Sequence, residues 1–507
     1  MAITRRQLLK TGVASGALLG ASVFSHPLVR RAWAATSNRY FIVLFLDGGN
    51  DGLNTVTPID DGAGSLRADY EAARFGLRLL PPSSGSDTAN LLPIGLDPNT
   101  GAQLGFHPGL SGRSATVTQP GDAGFGGLKA LYDAGMVAVI QGCGCPDYTL
   151  SHDESRIVWQ TANPQDRAAL LNTGWVGRHL ATSFTGADVP AIAIADTVSP
   201  ELRQFTTSVL AIERLADFDF PRDQQYPSDD AAKDAAFLAL HALASAGTQP
   251  RRLIGASGTA TYDGTVSLPN AHAVYQADRS SWSLGYDDGG GSGAINRRLA
   301  RDFREVAKVI YAQEKTPALS GVAARYFRLR LGGFDTHAEQ GANQPGGWHF
   351  DLHAEVGASL KHFFDDLADM DPVLPERVAV LVWSEFGRRV AQNGSGTDHG
   401  SQGPMLVVGG KVNGGIYGQH PNIASADWNA DGNTRYRQSG DADPYALAFR
   451  SIDFRDVYGT VLTRWLGMSD AAAQLVVPLD TGPATEWWTV PNFDLRRSVG
   501  DVPLFRP

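Results

Sequence analysis

Cysteine is nearly missing: the 507 residues hold two, Cys143 and Cys145. A disulfide framework is therefore excluded, and two thiols are too few to hold zinc alone. Spaced C-x-C, they would close only a short, strained loop. Two small buried residues beside a tight turn explain them as well, so no catalytic role follows. Cationic charge is also short. Lys and Arg number 43 against 53 Asp and Glu, a net charge of −10 that argues against general nucleic-acid binding. After residue 35 no uncharged apolar run reaches the ~18 residues of a membrane span. Neither an internal repeat nor a sharp linker divides the chain.

What is present reads as a large globular protein. Apolar residues make up 43% and charged residues 19%, which excludes a disordered or fibrous chain. The 57 glycines and 28 prolines call for many long loops. On a prior of about 150 residues per domain the length suits roughly three units, yet large α/β sheets often run as one.

The first 35 residues read as an address rather than as part of the fold. Thr4-Arg5-Arg6-Gln7-Leu8-Leu9-Lys10 is a twin-arginine pattern, a modestly apolar run follows over residues 12–24, and Ala32-Trp33-Ala34 is a small-x-small cleavage site. The expected destination is the periplasm or the exterior. Removing residues 1–34 takes away Arg5, Arg6, Lys10, Arg30 and Arg31 and no anion, so the net charge moves from −10 to −15.

Residues 40–46 (YFIVLFL) form an uninterrupted apolar run of strand length, as in a strand buried on both faces. Residues 136–140, 191–195, 326–331, 378–382 and 405–408 read the same way. Helical patterns lie between them at 128–134, 152–160, 231–246, 295–312, 352–367 and 457–466. Alternation of the two predicts an α/β fold, a three-layer α/β/α sandwich around a largely parallel sheet. Residues 60–125 and 415–450 read as loops, and residues 196–325 as a helical insertion over one edge of the core. Residues 287–293 (DDGGGSG) form a flexible stretch within it.

Polar residues gather where these strands end, the place where open α/β sheets bind ligands. Asp47 follows the first strand, Asp335 and His337 the strand at 326–331, and Glu385 and Arg388 the strand at 378–382. Asp398 and His399 lie in the loop leading to the strand at 405–408. Each has a plainer explanation. Asp47 and Asp51 suit Asx turns, Asp335 and His337 suit a helix cap, and a lone Asp-His-Gly is weak evidence. Their joint occurrence is harder to explain that way. Four carboxylates crowded together call for a cation, and mixed Asp/Glu/His donors suit zinc, manganese or iron better than calcium.

The leader together with FLDGGNDGLNTVTP, LSHDES, GGFDTHAEQ, WSEFGRR, GTDHG with GGIYG, and FRDVYGTVLTRWLG resembles the exported family called domain of unknown function 1501. These motifs span most of residues 40–467. That family looks like a branch of the alkaline-phosphatase-like superfamily, whose relatives include sulfatases and cofactor-independent phosphoglycerate mutases. The resemblance implies one or two divalent metal ions and an ester-hydrolysing or transferring ancestry. It matches Asp47 to the metal-binding aspartate of the first strand, and Asp335 with His337 to a later Asp/His motif. That motif is here D-x-H, where relatives commonly have D-x-x-x-H. Asp398-His399 matches by letters the Asp-His-Gly metal pair. By topology that pair falls at Glu385, and His399 becomes the final histidine, a match that keeps both in the site. The implied ligand set is therefore Asp47, Asp335, His337, Glu385, Asp398 and His399.

Relatives carry a nucleophile at a helix N-terminus, where Ser151 stands here. Ser151-His152-Asp153-Glu154 is also a capping box, and that explanation is the stronger of the two. His152 is a candidate acid, base or extra ligand, and Arg388 or Arg389 a candidate for a substrate oxygen. The sulfatase signature C-x-P-S/A-R is absent. Two functions stay open: a metal-dependent hydrolase of a small or polymeric phosphate or sulfate ester, and a silent exported protein that binds a ligand or serves a partner in the envelope.

Overall fold

A computed structural model describes residues 38–82, 90–117, 126–145, 148–164, 173–184, 189–204, 207–220, 225–248, 251–286, 295, 297–315, 322–421, 423, 452–478, 493–497 and 499–507. The leader, the Asp-Gly-rich stretch at 287–293 and most of the 415–450 loop lie outside these residues.

Nine strands form the main sheet: β1 (Tyr40–Asp47), β2 (Val137–Gly144), β3 (Val189–Ile194), β4 (Val209–Ile212), β5 (Val322–Gly332), β6 (Val378–Trp383), β7 (Gln402–Gly409), β8 (Gly415–Tyr417) and β9 (Ile452–Asp453). The order is β8-β2-β7-β6-β1-β5-β3-β4, with β9 also on β2. Each pairing is parallel except the two made by β7, which runs antiparallel between β2 and β6. All eight residues of β1 are buried, so its apolar run needs no alternation.

The alternation appears instead in what the two faces meet. Tyr40, Ile42, Leu44 and Leu46 pack toward α1 (Gly127–Asp133), α6 (Arg298–Lys315) and α7 (Trp348–Met370). Phe41, Val43 and Phe45 pack toward α2 (His152–Thr161), α3 (Trp175–Ser183) and α8 (Phe454–Thr460). Two cores on opposite faces of one sheet make the expected α/β/α sandwich. At about 1.5–3 kcal/mol for each large apolar side chain buried, these faces dominate the stability.

Two readings need correction. Residues 60–125 are not all loop: Leu92–Leu96 and Gln103–Phe106 join Val56–Pro58 in a small antiparallel sheet. Residues 196–325 are not all insertion, because β4 joins the main sheet and α6 belongs to a core layer. Within that segment, α4 (Asp230–Ser245) packs on α5 (Arg251–Asp278), which continues through Pro269. The two cysteines are buried at the end of β2 and form no disulfide. Among the described residues no helix is long and apolar enough to cross a membrane.

Directly after β1 the chain is locked by a buried ion pair. Arg74 donates to both oxygens of Asp51 at 2.5 and 2.9 Å, and both side chains are fully inaccessible. The same guanidinium donates to the carbonyls of Arg389 and Val390, and Gln340 donates to Asp51 at 2.6 Å. Arg74→Ala would leave Asp51 charged and buried beside a single amide. It should cost about 3–5 kcal/mol in urea unfolding, whereas a loss below about 1 kcal/mol would mean the pair contributes little.

A second test is electrostatic. Burial on α6 pushes the Asp302 carboxyl up to about 7, against ~3.9 in an unfolded chain. Between those values the folded state holds the extra proton, so this contribution to stability is lost as pH rises from about 4 to 7. Asp302→Asn should raise the thermal midpoint more at pH 8 than at pH 4. Equal shifts at both would remove Asp302 as the source.

Candidate metal centre

The direction of the strands decides which residues can meet. β1, β5 and β6 are parallel, so Asp47, Asp335 and Glu385 emerge at one edge. β7 enters the sheet from that same edge because it is antiparallel, which brings in the residues before it, Asp398 and His399. A short antiparallel pairing sets His399 opposite Arg388. β2 also ends there, and α2 then delivers His152.

Gly48 makes the approach tight. Its φ is +122°, and a Cβ at that position would lie 2.4 Å from the Asp335 nitrogen, so only glycine fits between the two loops.

Asp335, His152 and His399 offer donor atoms that all lie within 4.8 Å of one another. His399 Nε2 is 3.2 Å and His337 Nε2 3.1 Å from Asp335 Oδ1, and His152 Nε2 is 3.4 Å from Oδ2. The outer nitrogen of each ring is held by an acceptor: His152 Nδ1 by Glu385 at 2.8 Å, His337 Nδ1 by Asp398 at 3.0 Å, and His399 Nδ1 by the Leu150 carbonyl at 2.7 Å. Because a carboxylate and a carbonyl only accept, the proton of each neutral ring sits on Nδ1 and the lone pair on Nε2. Two of those lone pairs, on His337 and His399, face each other at 2.9 Å. The third, on His152 Nε2, is sealed from solvent without a hydrogen-bond partner. Facing lone pairs repel unless a cation or proton lies between them. Three imidazoles oriented from behind, plus one carboxylate, form a donor set that fits a divalent transition metal.

Electrostatics agree with this arrangement. Burial opposes ionisation of Asp335, but the Arg388 guanidinium beside it outweighs burial and holds the carboxyl down at about 2. The Glu385 hydrogen bond raises His152 above its ordinary value, while burial lowers His399.

The remaining expected residues sit elsewhere. Asp47 does not face the group: Arg330 Nε donates to its Oδ2 at 2.7 Å, and Arg156 Nε lies 3.6 Å from its Oδ1. Glu385 accepts from the Gly48 and Gly49 N–H groups at 3.0–3.2 Å as well as from His152, so both its oxygens are engaged. Asp398 stands behind His337. Arg388 cannot reach a substrate, since its side chain is inaccessible and bonded to Asp335 and to the carbonyls of Gly48, Gly49, Phe334 and Thr397. Ser151 precedes α2 but its side chain makes no capping bond, so the capping-box reading is not realised. The supporting roles of Glu385, Asp398 and the Leu150 carbonyl were not legible in sequence. Arg156 and Arg330 were overlooked too, although Arg156 follows His152 by one helical turn.

No curated protein matches the chain. Among solved structures it is similar to the lipoteichoic acid synthase LtaP of Listeria monocytogenes, at 9% identity and a TM-score of 0.31 over 82% of this chain and 76% of that one. It is similar to a mutant of the alkaline phosphatase PafA, at 10% identity and a TM-score of 0.29 over 69% and 64%. It is also similar to the PsFucS1 sulfatase of Pseudoalteromonas sp., at 11% identity and a TM-score of 0.32 over 88% and 73%. Matches this distant say nothing of what the chain binds or does. Residues 306–475, which contribute Asp335, His337, Glu385, Asp398 and His399, match the model of the family described as "Protein of unknown function (DUF1501)".

Proposed function

We propose that this chain is an exported, metal-dependent hydrolase of phosphate or sulfate esters. One observation carries the reading. His152, His399 and the Asp335 carboxylate converge, His337 Nε2 adjoins Asp335 and His399, and each histidine is oriented from its far nitrogen by Glu385, Asp398 or the Leu150 carbonyl. An all-structural cluster has no need of three oriented lone pairs.

His152, Asp335, His337 and His399 would hold the ion. A divalent cation there supplies Lewis acidity toward an ester oxygen and lowers the pKa of a bound hydroxyl. The chain's own residues do the rest. Glu385 and Asp398 fix the two rings they touch, and Arg388 fixes Asp335. Ser151, free of capping duty and adjacent to His152, would attack phosphorus or sulfur as its hydroxyl proton passes to water, the bond to the ester alcohol would break and that alcohol leave, and water would then release the group from the serine.

Purified protein should bind metal tightly enough to survive desalting, measured by elemental analysis, and should hydrolyse an aryl phosphate or sulfate. His337→Ala should lower both metal content and turnover. Full metal content in that variant would remove His337 from the ligand set. A wild type with no metal and no esterase activity would put the silent envelope protein ahead.

Ser151→Ala separates the chemistry from the metal. Turnover should fall about 100-fold or more with metal content unchanged. Unchanged turnover would assign the attack to water.

A further inference from the structure

We infer that Arg156 and Arg330, held in place by Asp47, form an anion-binding subsite beside the histidine group, and that its ligand is a dianion of the phosphate-monoester class. The inference rests on the metal-hydrolase reading for the ester and on this chain's own charges for the rest.

The geometry comes first. Asp47 is buried, its side chain 9% exposed, while Arg330 and Arg156 are 55% and 34% exposed. The carboxylate therefore lies beneath two guanidiniums that still face solvent, a group with one net positive charge. Among the described residues neither arginine is spent on other carboxylates in the interior. Arg156 has one further acid, Asp153 at 3.7 Å, which is 92% exposed, and Arg156 Nε also reaches the His152 carbonyl at 3.2 Å. The subsite adjoins the histidines through short links. Arg156 follows His152 by one turn of α2, Asp47 pairs with Gly332 just before the Asp335 loop, and the next residue, Gly48, donates to the Glu385 that holds His152.

Charge then selects the ligand. The carboxylates in and around the group are Asp47, Asp335, Glu385 and Asp398. Arg156, Arg330, Arg388 and Arg389 match them, three of these acids being ion-paired directly. With neutral imidazoles the centre is close to balanced before any metal enters. A divalent cation would add two positive charges, and among the described residues the one further carboxylate beside these arginines is the solvent-exposed Asp153. A phosphate monoester brings two negative charges at neutral pH, whereas a sulfate ester brings one. Arginine forks suit the non-bridging oxygens of either, so the charge decides between them.

The test is calorimetric titration of the full-length protein, metal-loaded and metal-free in parallel, with inorganic phosphate, phenyl phosphate and phenyl sulfate. Arg330→Gln and Arg156→Gln keep most of each side chain's apolar stem and sit at the surface, and circular dichroism checks their folding. The metal-loaded wild type should bind phenyl phosphate at least ten times more tightly than phenyl sulfate. Each variant should weaken phosphate binding about tenfold while metal content, read by elemental analysis, stays constant. Wild-type affinity in both variants, or a preference for phenyl sulfate, overturns the inference. Arginine-dependent phosphate binding in a protein that takes up no metal would instead overturn the hydrolase reading and leave the subsite standing.

Discussion

One buried guanidinium holds the functional edge together. Arg388 donates to the carbonyls of Gly48, Gly49, Phe334 and Thr397 and to the Asp335 carboxylate. These acceptors belong to three loops: the one after β1, the one after β5 and the one before β7. Each carbonyl lies outside the strands of the main sheet, where Arg388 supplies a donor in place of a neighbouring strand. Burial lowers the Arg388 pKa, which measures the cost of keeping this cation dry, and the Asp335 ion pair works against that shift. A lysine carries the charge but not the planar fork, so it could not replace five directed bonds.

Around that anchor the carboxylates divide their work. Asp335 faces the histidines. Glu385 and Asp398 stand behind rings, and Asp47 and Asp51 are matched to arginines. Identical chemistry in the sequence thus produces three different duties, set by which oxygen meets which neighbour. A carboxylate at a strand end can be read from the chain. Whether it points forward to a ligand or backward to an arginine depends on residues hundreds of positions away, as with Asp47 and Arg330.

The same division explains what was legible of the fold. β1, β2, β3 and β6 announce themselves as apolar runs because both faces are buried, and their helices as spaced apolar patterns. The missed elements are those whose local preference opposes their structure. α5 carries Gly255, Gly258, Gly264 and Pro269, yet stays helical because Ala260, Leu268, Ala271 and Tyr275 pack into the core. The strands Leu92–Leu96 and Gln103–Phe106 contain glycine or proline and pair only with each other and with Val56–Pro58. α3, with Gly177 in its first turn, is held by Trp175 stacked on Tyr458 at 4.4 Å. Of the site, Asp335, His337, His399 and His152 could be named individually from sequence. Their common focus follows from the antiparallel course of β7.

That reversed strand has a consequence for how the molecule assembles. Leu150 and His399, 249 positions apart, touch only when β2 and β6 have both paired with β7. Closing so long a loop is entropically expensive and comes late in folding. Whatever binds across those two segments acts as a cross-link between the first half of the chain and the second. It would stabilise the sheet as a whole by mass action, so occupancy of the centre and persistence of the fold become one equilibrium.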